Sequence, residues 1–402
     1  MNSISDLHLN GDTVLVRVDF NVPMNNGSIK DDSRIKAALP TISKLTEKGC
    51  KVILLSHLGR PQKDLNNDHS LKKEKYSLRL VAERLKELSD SAVHFCSENT
   101  GEKAEKAVEN LGKSEVLLLE NTRFQKEEEQ NSPALAAQWK AMADYYINDA
   151  FGTAHRKHAS TVALAEQYLP ERKAAGLLLE KEIVQAYQVV NEPVGPLVAV
   201  VGGSKVSDKI GLLENMIDLA DEIIIGGGMA YTFIAARGGL VGNSILEEDH
   251  FQTARKIMKM GKEKDTPIHL PEDSIVADRF HRDANTQVMK SREISDDWMG
   301  LDIGPKAQEQ FQKVILTAGT VVWNGPMGVF EMKPFARGTE IVARAIADAT
   351  SRGAFSLVGG GDSASAIKIL ALTDRMSHVS TGGGAMLTLL EGKSLPAIEA
   401  LD

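Results

Sequence analysis

The strongest constraint on this chain is a rhythm: short, continuous aliphatic runs alternate with longer segments of helical period from one end to the other. In the first half the runs are TVLVRV (13–18), KVILL (51–55), EVLLL (115–119) and DYYIN (144–148). In the second half they are LVAVV (197–201), EIII (222–225), TVVW (320–323), AFSLV (354–358) and SHVS (377–380). Between them, segments such as 205–219 place Val206, Ile210, Leu213 and Ile217 at the spacing of one helix face. Strands that are apolar at successive positions are buried on both faces, which requires a parallel sheet covered by helices. The fold class is therefore α/β. At 402 residues the chain exceeds what one core organises, so two domains are expected. The stretch 171–196 begins after Pro170 and ends in a Pro/Gly-rich turn. Its middle, with Leu178, Ile183 and Tyr187, reads as a helix joining the two. The segment 62–76 is polar and charged and reads as a solvated loop.

Composition matters here mainly through charge. With 47 basic and 55 acidic residues the formal charge is −8, which argues against general nucleic-acid binding. An anionic ligand must then be held by a local basic cluster. The start, MNSISDLHLN, lacks a basic region followed by an apolar run, and no apolar run is long enough for a membrane span. Cys50 and Cys96 are too few for a disulfide framework or a zinc site and read as buried free thiols. A cytoplasmic location is expected.

In open α/β sheets, ligands lie outside the carboxyl ends of the strands. The chemically loaded residues of the first half follow the strands in turn: Asp19 and Asn21, then His57 and Arg60, then Arg123, then Asp149 and Arg156. Arg34, in a segment that opens the first helix, could join them. A single arginine after a strand is commonly a surface ion-pair partner, and His57 alone is equally a structural histidine. Several guanidinium forks on one sheet edge instead suit a small substrate with several negative charges.

The second half carries glycine clusters after strands: 202–203, 226–228, 359–361 and 382–384. One such cluster is equally a tight turn. Four at equivalent strand ends favour a nucleotide, because they can expose backbone N–H groups where helices begin. Lys205 and Lys209, four apart, would share a helix face and could meet phosphates, although such pairs are common on surfaces. No GxxxxGK[ST] spacing occurs, and no GxGxxG in the required context, which weakens a nicotinamide reading. Asp362 is the magnesium candidate, with a helix N-cap as its other reading.

In this order, RVDFNVP (17–23), SHLGRP (56–61), LLLENTRF (117–124), NDAFGTAHR (148–156), GGSKVSDK (202–209), GGGMAYTF (226–233), WNGPMGVFE (323–331), GGGDSASA (359–366) and HVSTGGGA (378–385) resemble the phosphoglycerate kinase family, of bacterial length. The resemblance implies two Rossmann-like parallel-sheet domains, 1–172 and 173–388, joined by the interdomain helix, with a deep cleft between them and a tail from about 389 to 402 returning to the first. It implies reversible, Mg2+-dependent phosphoryl transfer between 1,3-bisphosphoglycerate and ADP, giving 3-phosphoglycerate and ATP. Asp19, Asn21, Arg34, His57, Arg60, Arg123 and Arg156 would bind 3-phosphoglycerate. Gly203, Lys205, Lys209, Gly227, Asn324, Glu331, Gly360, Gly361, Asp362 and Ser363 would bind the nucleotide, with Asp362 on magnesium. Arg34, Lys205 and Lys209 would carry the transferring charge, helped by backbone N–H groups of Gly382, Gly383 and Gly384. A monomer with no nucleic-acid or membrane partner is implied. Ser204, Tyr231 and Leu80 depart from common family residues, and Tyr231 could alter the adenine side of the pocket. Other readings at this point are a different carboxyl-phosphorylating transferase, a dehydrogenase lacking its fingerprint, and a non-catalytic protein that kept the fold.

Overall fold

The computed structural model describes residues 1–25 and 27–402. Cα packing divides the chain into two compact units, Met1–Val184 with Ser394–Asp402, and Gln185–Lys393.

The first unit is built on six parallel strands: β1 (Thr13–Arg17), β2 (Lys51–Leu55), β3 (Val93–Cys96), β4 (Val116–Leu119), β5 (Tyr145–Asn148) and β6 (Lys173–Ala175). Their order is β3-β4-β2-β1-β5-β6. The chain runs outward from β1 in both directions, so the topological switch lies between β1 and β5. Val14, Val16, Val52, Leu54, Val116 and Leu118 form one buried sheet face against Ile35, Ala38, Ile42 and Leu45 of helix α1 (Ser33–Glu47). Those four recur at the 3- and 4-residue spacing that puts side chains on one helix face. Helix α2 (Leu177–Asn191) follows β6 and contains the boundary between the units. The last residues pack on the first unit: Ala397 N–H donates to the Ala154 carbonyl, and buried Lys173 Nζ donates to the Ala400 carbonyl at 2.8 Å.

In the second unit, β7 (Leu197–Val201), β8 (Glu222–Ile225) and β9 (Ile268–His269) precede an antiparallel insert of β10 (Asp273–Ala277), β11 (Thr286–Lys290) and β12 (Met299–Ile303). The parallel sheet resumes with β13 (Thr320–Asn324), β14 (Phe355–Gly359) and β15 (His378–Val379), in the order β9-β8-β7-β13-β14-β15. Here the switch falls between β7 and β13. No helix among the described residues is long and apolar enough to cross a membrane.

Two local expectations change. The 62–76 segment is more than a solvated loop: Lys73–Tyr76 is helical, Tyr76 packs against Gly59, and its carbonyl accepts from buried Asn121. The helix expected from 205 begins only at Ile210, as α3 (Ile210–Leu219). Ser207 is drawn aside by Glu247, whose carboxylate accepts from its N–H and Oγ at 3.0 and 2.7 Å. Lys209 is the residue before the helix, so Lys205 and Lys209 do not share a helix face.

Candidate functional site

At the carboxyl edge of the first sheet, β1 ends in Arg17, which is fully buried. The turn that follows carries Asp19, whose Oδ2 accepts from Arg34 Nη1 and whose Oδ1 accepts from Asn21 N–H at 3.2 Å. Asn21 Oδ1 in turn accepts from Gly59 N–H at 2.8 Å, tying this turn to the one after β2. Gly59 has φ +62, and a Cβ there would lie 2.4 Å from the Tyr76 ring, so only glycine fits the bend. Arg34 stands in the first turn of α1. Arg123, after β4, donates through Nη1 to the Gly59 carbonyl at 2.6 Å and lies 3.2 Å from the Glu129 carboxylate through Nε. Its Nη2 is buried with no hydrogen-bond partner. Arg156 donates from Nε to His155 Nε2 at 3.1 Å. Arg60 is exposed and enters no ion pair among the described residues.

The electrostatics follow from crowding cations. Burial, then the charges of Arg17, Arg123 and Arg34, hold His57 well below the ordinary imidazole range. Burial, then Arg123, Arg17 and Arg156, lower His158 to about 3. Burial and Arg156 lower His155 as well. Burial first, with Arg156 and Arg17 adding to it, brings Arg123 down to about 10, where it stays charged at neutral pH. Three neutral imidazoles thus stand among four guanidinium groups, with buried Nδ1 atoms of His155 and His158 lacking partners. Buried unsatisfied donors beside excess positive charge suit a small oxyanion. Arg17, His155 and His158 had not been singled out. The signal for Arg17 was there: a charged residue inside an otherwise apolar strand needs a buried partner.

In the second unit the glycine turns do not all serve one purpose. Gly203 N–H donates to the Pro326 carbonyl, Gly227 N–H to Met327 and Gly202 N–H to Asn324, so these groups are already satisfied. Their lack of side chains serves close approach instead: a Cβ on Gly227 (φ +66) would lie 2.6 Å from the Gly203 oxygen. Helices α4 (Gly361–Ile369) and α5 (Gly383–Leu390) begin beside one another, and a Cβ on Gly383 would sit 2.8 Å from Gly360 Cα. The first-turn N–H groups of α4 and α5 have no helical acceptor, which leaves them to a ligand. Gly382 N–H is the exception, donating to Ser380 Oγ. Ser363, which is buried, accepts from Gly325 N–H at 2.7 Å and so braces the turn after β13. Asp362 lies within the first turn of α4, while Gly360 takes the N-cap, so the capping reading falls.

A cavity of about 500 Å³ opens beside these turns. Its wall combines the glycines Gly203, Gly227, Gly228 and Gly300 with the apolar side chains of Ile245, Met299, Leu301 and Val329. Glu331 and Asp362 supply its carboxylates. A mostly apolar lining with a few polar groups suits a nucleotide base. Lys209 Nζ donates to Asn324 Oδ1, and burial lowers its pKa against the pull of Asp208, Asp362 and Glu391. Asn324 Nδ2 is buried without a partner. Lys205 is exposed, with no side-chain bond among the described residues. The insert strand β12 supplies Met299, Gly300 and Leu301, none of them anticipated. Tyr231 stands behind this wall: its hydroxyl donates to Ser274 Oγ at 3.0 Å and fills the space a Cβ on Gly300 would take. No three-residue His/Cys/Asp/Glu metal cluster exists among the described residues. Magnesium commonly takes one or two carboxylates, with waters and substrate phosphates completing its shell, so Asp362 at a phosphate-ready helix start fits it.

A cluster of guanidinium groups and neutral histidines on one α/β unit and a glycine-lined cavity on the other suit a group-transfer enzyme that binds two ligands. The phosphoglycerate kinase family model matches residues 4–393. The chain is 49% identical over 400 residues to the phosphoglycerate kinase of Trichodesmium erythraeum (strain IMS101), covering 100% of this chain and 98% of that protein. It is 50% identical over 400 residues to that of Thermosipho africanus (strain TCF52B), covering 99% and 97%. Among solved structures, phosphoglycerate kinase from Coxiella burnetii aligns with TM-score 0.86 at 40% identity, over 99% of this chain and 98% of that one. The chain belongs to the phosphoglycerate kinase family and is a kinase, a phosphotransferase.

Proposed function

We propose that the arginine cluster of the first unit binds 3-phosphoglycerate, or 1,3-bisphosphoglycerate in reverse, and that the cavity of the second binds ATP or ADP. The observation that carries this reading is Arg123, buried with Nη2 unpartnered among cations and neutral histidines. Asp19 and Asn21 hold Arg34 and the Gly59 turn in place, and Arg34, His57, Arg123 and Arg156 supply donors. Arg60 joins from the rim. In the cavity, Glu331 suits the ribose hydroxyls, and Lys209, Asn324 Nδ2 and the starts of α4 and α5 suit phosphates. Asp362 would hold magnesium, which supplies positive charge to the phosphate oxygens when bound.

The accepting carboxylate of 3-phosphoglycerate is already ionised at neutral pH, so no general base is needed. The chain's work is in-line positioning and charge around the equatorial oxygens of the transferring group. Arg34, Lys205 and Lys209 take that role, with the N–H groups of Gly383 and Gly384. Lys205, unpaired and exposed, is free to swing to the phosphoryl group once ligands are in place. In-line transfer requires both ligands to meet, so both together are expected to compact the molecule more than either alone. Small-angle scattering that shows no change with both bound counts against that. Two free buried cysteines suit a reducing, cytoplasmic setting. Arg156→Ala tests the site directly: the KM for 3-phosphoglycerate should rise, and an unchanged value removes Arg156 from it.

A further inference from the structure

Arg17 is given no ligand contact above, yet each nitrogen of its guanidinium has a partner. It has no exposed surface. Nε donates to Ser160 Oγ at 2.7 Å, Nη1 donates to the Val18 carbonyl, and Nη2 lies 3.2 Å from His57 Nδ1. Ser160 passes the restraint on, donating through Oγ and N–H to the two oxygens of buried Glu128 at 2.6 and 2.9 Å. A guanidinium has five N–H donors and no acceptor. Its contact with His57 therefore has one direction: Arg17 donates and Nδ1 accepts. An accepting Nδ1 carries no proton, so the proton of the neutral ring sits on Nε2.

We propose that Arg17 is a positioning residue that fixes His57 as the neutral Nε2–H tautomer, so that the ring offers phosphoglycerate a hydrogen-bond donor. This rests on the reading of the arginine cluster as the phosphoglycerate site. Among the described residues the competitor for Nδ1 is Asp19, whose Oδ1 would select the opposite tautomer by accepting a hydrogen bond from Nδ1–H. It lies 3.9 Å away, beyond hydrogen-bond reach, and already accepts from Asn21 N–H. Its other oxygen is held by Arg34. The remaining charged and titratable groups around the ring are Arg17, Arg123, Arg34 and His158. The arginines among them, together with burial, disfavour an imidazolium. With charge settled by the surroundings, the position of the single proton is what Arg17 decides. Arginines then bind the anion by charge, while His57 adds direction.

The test is nitrogen-15 NMR of the imidazoles in the full-length protein, without ligand, from about pH 6 to about 8, the range in which an ordinary histidine titrates. The expected His57 signals are a pyridine-like Nδ1 and a pyrrole-like Nε2 that do not titrate. A pyrrole-like Nδ1, or a titrating ring, overturns the role of Arg17. Adding 3-phosphoglycerate should then move the Nε2 signal. A ring with the expected tautomer whose Nε2 ignores saturating 3-phosphoglycerate instead overturns the site reading, and the purpose of Arg17 with it. Arg17→Lys keeps the charge and loses the fork. It should give mixed tautomers and raise the KM for 3-phosphoglycerate about tenfold, the scale of one charge-assisted hydrogen bond, with the KM for ATP unmoved. Mixed tautomers with an unmoved KM for 3-phosphoglycerate overturn the proposal. If that variant fails to fold, the wild-type spectrum decides.

Discussion

Asp149 stands near the start of the run that ends in Arg156 and is fully buried, yet no cation contributes to its titration. Its Oδ1 accepts from Leu178 and Leu179 N–H at 2.9 and 3.2 Å, closing the start of α2. Burial pushes the carboxyl from 3.8 up to about 7, against the pull of the Thr41 side chain and of the Leu179 and Leu178 N–H groups. Below about pH 4 it is protonated in both the folded and the unfolded chain. Between about 4 and 7 the unfolded chain has lost the proton and the folded protein keeps it, so stability must fall as pH rises through that window. Above about 7 the effect is complete. At about 1.4 kcal/mol per pK unit, the total is roughly 4 kcal/mol. Asp149→Asn keeps the accepting oxygen and removes the titration. Asp302, buried in the second unit and also pushed up to about 7, would produce a similar trend, so the informative quantity is the difference between wild type and variant. Urea titrations at a series of pH values, each read by a brief deuterium pulse at one fixed pH on the peptides of β1 and β5, follow the first unit alone. Wild type should lose about 4 kcal/mol relative to the variant between about pH 4 and 7. A difference that stays constant, or that grows in favour of wild type as pH rises, refutes the burial argument.

The other expectations concern the sites. Lys205→Ala should lower turnover roughly a hundred- to thousandfold while the KM for ATP changes little, because an exposed, unpaired lysine contributes in the transition state and not to the resting fold; near-wild-type turnover in a steady-state assay removes it from catalysis. Gly227→Ala places a Cβ 2.6 Å from the Gly203 oxygen at φ +66, so it should weaken ATP binding and destabilise the second unit by at least about 1–3 kcal/mol. Calorimetry with and without ATP reads both, and an unshifted second unit contradicts the interlocked-turn description. Tyr231→Phe removes the hydroxyl that donates to Ser274 at 3.0 Å and should cost about 1 kcal/mol of stability. If it also leaves the KM for ATP unchanged, Tyr231 supports the cavity wall without contacting the nucleotide.

Central strands were readable because consecutive apolar residues make up most of each: β1, β2, β4, β7, β8, β13 and β14 all lie within the runs seen in the sequence, or extend them by a single residue. Of the four edge strands only β15, within SHVS (377–380), was read. VHFC at β3 exposes His94, and β6 and β9 have only three and two residues, too short for a period. The insert was hidden for another reason: β11, TQVMK, is largely exposed, so no apolar pattern marks it, although it pairs with the strand that carries Ser274. The loaded residues Asp19, His57, Arg123 and Arg156 could be found because strand ends in an α/β sheet converge. Arg17 was passed over as part of a strand, and Glu128 sits in a KEEE run that resembles a solvated face. What each glycine turn does could not be read at all, since Gly203 and Gly227 depend on carbonyls about a hundred residues further along, at Pro326 and Met327.

The central claim is phosphoryl transfer from ATP to a carboxylate by positioning and charge. A coupled assay for ADP tests it most directly, using the purified full-length chain with ATP and magnesium, with or without 3-phosphoglycerate. The account predicts ADP only when 3-phosphoglycerate and magnesium are both present, with no activity when glycerate replaces the phosphorylated acid. ADP formed at the same rate without 3-phosphoglycerate, or none formed with every component present, would contradict it.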